Sequence, residues 1–235
     1  MKIRVINTVV RGVLGDEIVP PVPDFVELEI DWLDEGPSSI ECRVDDALAV
    51  PAVLERVRAA AGEVDGIVLN CFMDPGLEAA RELVHVPVAG PAQSAMALAA
   101  TLGQTFSVIL PAASGAPIVV DEASRYVGRD RLASVRSVET PVADLHDHGR
   151  LVEGLIDQAE RAVASDGAHV VVLGCTGMCG VTAEVRRRLA DRGHDFPVVD
   201  PTLAAIGSVV AQLLAGVHHS GIAYGLPSWR GLATA

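Results

Sequence analysis

Aromatic residues are scarce, 3% of 235, which leaves few rings to stack on nucleic-acid bases or against a flat cofactor. Cations are short too: 18 Lys and Arg against 31 Asp and Glu give a formal net charge of -13. Neutralising phosphates takes a basic face, so neither a nucleic acid nor an anionic membrane is an expected partner. No apolar run reaches the roughly 18 residues of a membrane-spanning helix. The opening Met1-Lys2-Ile3-Arg4-Val5-Ile6 alternates as a strand does, unlike a signal peptide, and the expected location is the cytoplasm. The four cysteines are expected as free thiols, because a chain of this size can bury its own core without staples. No Gly-x-Gly-x-x-Gly follows the first strand, and Gly174 to Gly180 lacks the lysine of a phosphate loop, so nothing supports nucleotide binding.

What is present is an α/β pattern. Short runs rich in Val and Ile alternate with longer Ala, Leu and Arg segments of helical period, as in parallel strands joined by crossover helices. Strands are predicted at Ile3 to Asn7, Glu27 to Trp32, Gly66 to Asn70, Val86 to Ala89, Phe106 to Leu110, Ser134 to Val138, His169 to Gly174 and Val198 to Asp200. Helices are predicted near 45–61, 76–83, 92–102, 116–127, 149–166, 180–192 and 201–216. Arg186-Arg187-Arg188 reads as a solvated helix face, and Asp144-Leu145-His146-Asp147-His148 as a polar loop rather than a metal site. His218-His219 reads as a pair near a helix C-terminus, where positive charge is favourable.

The second half repeats the first. Ile3 to Asn7 matches Phe106 to Leu110 at an offset of 103, and Val68-Leu69-Asn70-Cys71 matches Val172-Leu173-Gly174-Cys175 at 104. Pro87-Val88-Ala89-Gly90-Pro91 matches Pro197-Val198-Val199-Asp200-Pro201 at 110. Three matches in one order indicate two copies of one α/β unit related by a pseudo-two-fold axis. Cys71 and Cys175 each end a buried strand, and ligands of open parallel sheets bind beyond those carboxyl ends. Facing lobes would put the two thiols on opposite walls of one cleft. Packing explains either cysteine alone, since free Cys is commonly buried, but it does not require Cys at both equivalent strand ends. Cys42 and Cys179 have no repeat partner and read as structural.

Asp74 and Pro75 read as the cap and first turn of a helix just beyond Cys71, whose dipole would draw the thiol pKa toward neutrality. Gly174-Cys175-Thr176-Gly177-Met178 offers backbone amides and a hydroxyl suited to an oxyanion. Two thiols of similar pKa on opposite faces of one carbon suit racemisation: one removes a proton, the other returns one, and neither a metal nor another cofactor is needed if the C–H is acidic enough.

These residues resemble the aspartate/glutamate/hydantoin racemase superfamily, and within it the hydantoin racemase branch. The resemblance is carried by Val5-Ile6-Asn7, Gly36-Pro37-Ser38-Ser39-Ile40-Glu41, the run from Cys71 to Leu83, Leu102 to Val108, Asp166-Gly167-Ala168, Val172 to Met178 and Pro197 to Asp200. It implies two Rossmann-like lobes, which we expect at 1–93 plus 202–235 and at 94–201, with the active site between them. It also implies cofactor-independent proton transfer by Cys71 and Cys175 on a small-molecule substrate, with Asn7, Phe72, Thr176 and Gly177 lining the pocket, in a chain that could form a homo-oligomer. Two departures stand out. Asn7-Thr8-Val9-Val10 replaces the branch's Asn-Pro-Asn-Thr, and Leu110-Pro111-Ala112 has lost a Thr-Thr pair, so the substrate need not be a hydantoin. Cis-trans isomerisation of a small dicarboxylate, as in maleate isomerases, and a non-catalytic binding module on the same fold remain open at this point.

Overall fold

The computed structural model describes residues 1–12, 20–140, 142, 145 and 147–225. In chain order it has β1 (Lys2–Val10), β2 (Glu27–Leu33), α1 (Arg43–Ala60), β3 (Gly66–Asn70), α2 (Leu77–Leu83), β4 (Val88–Ala89) and α3 (Pro91–Leu102). The second half follows with β5 (Phe106–Leu110), α4 (Ala116–Tyr126), β6 (Leu132–Ser137), α5 (His148–Asp166), β7 (Val170–Leu173), α6 (Thr182–Asp191), β8 (Val198–Val199) and α7 (Pro201–Ala215). Each sequence-predicted strand and helix has its counterpart.

The strands form two four-stranded parallel sheets, ordered β2-β1-β3-β4 and β6-β5-β7-β8. The second order repeats the first strand for strand, which is the two-lobed α/β architecture read from the repeat. Central strands are covered on both faces, so β5 and β7 are buried along their whole length. That is why they read as unbroken apolar runs rather than as alternating ones. Ile6, Val53, Leu69 and Leu77 pack on one face of the first sheet, and Ile3, Val5, Val68 and Val209 on the other. In the second, Leu155, Ile156, Leu173 and Val185 oppose Met96, Phe106, Val108 and Val172.

Two helices leave their strands for the opposite sheet. α3 follows β4, yet Ala92, Ala95, Met96 and Ala99 pack with Phe106, Val108, Val170 and Val172 of the second sheet. α7 follows β8 and lays Ala205, Ile206 and Val209 on Ile3, Val5 and Val68 of the first. The α3 and α7 starts also share a device, because Pro91 and Pro201 each occupy a first helical turn, where the missing N–H costs nothing.

Candidate active site

β3 ends at Asn70 and β7 at Leu173, and from both ends the chain turns into one cleft of about 660 Å³ whose lining includes Cys71 and Cys175. The turns match. The Cys71 carbonyl accepts the Asp74 N–H at 3.1 Å, and the Cys175 carbonyl accepts the Met178 N–H at the same distance. The Met73 N–H points at the Cys71 sulfur at 3.5 Å, and the N–H groups of Gly177 and Met178 serve Cys175. Cys175 is close enough to act electrostatically on Cys71.

Burial governs both thiols. It pushes Cys175 up to about 11, against the pull of its two N–H donors and with a further push from the Glu41 carboxylate. Cys71 is driven up further, by burial first and then by Cys175 and Asp74, against the Met73 N–H and the Thr8 hydroxyl. The expectation of a near-neutral Cys71 is therefore corrected: burial holds its thiol well above the usual range. α2 starts only at Leu77, capped by Gly76 in the left-handed conformation, so its dipole begins too far along the chain to offset desolvation.

Asp74 departs from its expected role as well. Its own φ is +48°, and its carboxylate crosses to the start of α3, accepting the Ala92 and Gln93 N–H groups at 2.9 Å each. There is room only because residue 90 is glycine: a Cβ on Gly90 would sit 2.4 Å from the Asp74 carboxyl carbon.

Of the other predicted site residues, Phe72, Thr176 and Gly177 line the cleft, Phe72 with most of its ring packed into the apolar cluster of the second sheet. Asn7 does not line it. Asn7 stands behind Asn70, whose Nδ2 donates to the Asn7 Oδ1 at 2.8 Å. Sequence reading missed Asn70 itself, although it lies in the matched strand-end run. Asn70 Oδ1 accepts the Thr202 hydroxyl at 2.9 Å, and its carbonyl accepts the Thr176 hydroxyl at 3.2 Å, which ties the two cysteine turns together. Glu41, quoted only as part of a family run, also lines the cleft and faces Cys175. Thr8 and Val9 reach it from β1, and Leu110, Pro111 and Ala112 make an apolar rim opposite. Among the described residues no Lys, Arg or His side chain lines the cleft.

Candidates elsewhere take structural roles. Asp144 and His146 lie outside the described residues, while Asp147 caps α5 by accepting the Arg150 N–H. Among the described residues no cluster of three His, Cys, Asp or Glu side chains could hold a metal ion. All four cysteines are free. His219 is not a charged partner of a helix end: its Nε2 accepts the Val88 N–H at 2.7 Å, and burial holds its pKa down to about 4. Arg186 leaves the solvated face expected of its run to donate to the Val198 carbonyl, as Arg81 does to Val88 in the first half.

Residues 16–209 match the model of the Asp/Glu/Hydantoin racemase family. A hydantoin racemase of Rhizobium meliloti is 36% identical over 184 residues, covering 77% of this chain and 74% of that one. An allantoin racemase from Klebsiella pneumoniae superposes with a TM-score of 0.86 at 30% identity, covering 99% of this chain and 96% of its own. An allantoin racemase from Pseudomonas fluorescens does so at 0.89 and 28% identity, over 99% and 100% of the two chains.

Proposed function

The chain belongs to the Asp/Glu/hydantoin racemase family, an enzyme of the racemase type, and from that premise we propose that Cys71 and Cys175 interconvert the enantiomers of a small uncharged cyclic ureide. The observation carrying the proposal is that the two thiols end equivalent strands and line one cleft. One sulfur, as thiolate, takes the proton from one face of the stereocentre while the other, as thiol, delivers a proton to the opposite face, and the reverse reaction exchanges the roles. The sequence of steps calls on no cofactor. Within its own turn Cys71 has one N–H donor and Cys175 has two, and these stabilise the thiolate once formed.

The lining narrows the substrate. A free amino acid or a dicarboxylate brings a carboxylate that would meet no cation among the described cleft residues and would face Glu41. Burying that charge unpaired is costly. A hydantoin-type ring is uncharged and presents N–H donors that Glu41 can accept, while Leu110, Pro111 and Ala112 take its apolar face. The same charge argument disfavours cis-trans isomerisation of a dicarboxylate.

The test uses single enantiomers of allantoin and of a 5-substituted hydantoin in deuterated buffer, followed by optical rotation and proton NMR. Loss of rotation with deuterium entering the stereocentre is expected. Cys71→Ser and Cys175→Ser should each slow the reaction by about 10²–10⁴-fold or more. Full turnover in either variant overturns the two-thiol assignment. Ligand-induced stabilisation without exchange would instead mark a binding module.

A further inference from the structure

Thr8 buries a hydroxyl that no fold requirement explains. The residue is 1% exposed, and its Oγ1 forms no well-shaped hydrogen bond to any protein group. Burying a hydroxyl unpaired costs stability, so an unpaired one in a native fold calls for a reason. Its placement is as deliberate as its burial. In a regular strand Thr8 and Val9 would point to opposite faces, but both line the cleft. Pairing of β1 with β2 runs in step to Asn7 opposite Trp32, then resumes with Val10 opposite Leu33, so Thr8 and Val9 form a bulge. Bulges of this kind re-aim side chains beside active sites.

The two walls of the cleft show what the hydroxyl faces. Cys175 has two donors, the N–H groups of Gly177 and Met178. Cys71 has one N–H, from Met73, and the Thr8 hydroxyl lies beside the same sulfur. The repeat that matches Asn7 with Leu110 matches Thr8 with Pro111, which has no proton to give and no second donor to replace. We infer that Thr8 is a positioning residue for Cys71: its hydroxyl is the second donor to the Cys71 sulfur, turned toward it when the thiol has given up its proton. The inference rests on the two-thiol reading of this site. The other titratable groups facing Cys71, which are Cys175 and Asp74, both oppose its ionisation.

The experiment compares the wild-type protein with Thr8→Val, which keeps the shape and deletes the hydroxyl, and Thr8→Ser, which keeps the hydroxyl. Iodoacetamide alkylation of Cys71 is timed from pH 7 to 10 and located by peptide mass, with racemisation kinetics and thermal melting alongside. Thr8→Val should shift the Cys71 alkylation profile up by about one pH unit and lower kcat/KM about tenfold. The loss in kcat/KM must be equal in both directions, because enantiomers have equal free energy. Melting should be unchanged or higher, since an unpaired buried hydroxyl is gone, and Thr8→Ser should restore both chemical readouts. An alkylation profile unchanged in Thr8→Val overturns the inference. So does a Thr8→Ser protein as impaired as Thr8→Val, or activity lost only in step with melting temperature. Cys71→Ser separates the two levels: if it still racemises, the two-thiol reading fails, whereas an inactive Cys71→Ser beside an unaltered Thr8→Val profile removes the role of Thr8 alone.

Discussion

Asn70 shows how much of a site can hang on a residue that performs no chemistry. Its Nδ2, Oδ1 and backbone carbonyl engage Asn7, Thr202 and Thr176, partners from three different segments of the chain. Replacing it with Leu would strand the Asn7 oxygen and the Thr202 hydroxyl in a buried setting. Asn70→Leu should therefore lose roughly 2–3 kcal/mol, read as a fall of about 5–10 °C in Tm, while the Thr176 hydroxyl keeps its acceptor, the backbone carbonyl of residue 70. The same residues mark how far sequence carries the reading of the site. The cysteine pair is legible because a repeat makes coincidence improbable. Asn7 was visible as a polar strand end, but its position behind Asn70 depends on side chains that meet from residues 63 and 132 positions apart. Thr8 was legible only as a departure from a family pattern, because the bulge that turns it into the cleft leaves no periodic signal.

At the scale of elements, the helix starts after β4 and β8 place a carboxylate in the same position by opposite routes. Asp200 caps α7 from its own N-cap position, accepting the Leu203 N–H at 3.0 Å and the Thr182 hydroxyl at 2.8 Å. At the equivalent place in α3 the chain has Gly90, and Asp74 fills the space from the cysteine turn. Strand and helix positions were readable from periodicity, whereas a cap supplied from 18 residues away was not. The exchange has an electrostatic consequence. Asp74 sits near Glu122 of α4, and burial together with the Asp74 and Asp46 carboxylates lifts Glu122 to about 9. Asp74 itself is lifted to about 6, burial outweighing the two N–H groups that favour its charge. One oxygen of Glu122 and one of Asp46 are buried without partners. The folded protein therefore holds a proton on Glu122 that the unfolded chain releases near its ordinary value of 4.5. Stability from that proton is complete below the unfolded value and drains away as pH rises through about 9. Glu122→Gln stays neutral throughout. It should melt close to the wild type at pH 5 and be more stable by about 2–4 kcal/mol at pH 8.5, measured by urea unfolding at both pH values. A gain of equal size at both would mean that Glu122 is ionised in the fold.

At the scale of the whole molecule, the repeat is exact in topology and unequal in detail. The offset between halves grows from 104 at the cysteines to 105 at Arg81 and Arg186, then 110 at Pro87 and Pro197. The extra length lies in and after α6, which has 10 residues where α2 has seven. Sequence could show that two copies exist. It could not show the helix crossing by itself, since α3 and α7 each pack on the sheet they do not follow, and only three-dimensional contacts distinguish the two arrangements. Those contacts support dividing the chain into lobes at 1–93 plus 202–235 and at 94–201, a proposal that makes α7 an integral part of the first lobe. Gly66 at the start of β3 provides the test. A Cβ there would lie 2.3 Å from Val209 Cγ1 of α7, and Val209 is fully buried, with no room to yield. Gly66→Ala should cost about 1–3 kcal/mol by overpacking, and Val209→Ala about 1–2 kcal/mol by leaving a void. Combined, the new methyl enters the vacated space, so the double variant should be more stable than the sum of the single losses by about 1–2 kcal/mol in urea unfolding. Strict additivity would mean that α7 is not seated on β3, and the lobe boundary at residue 201 would have to move.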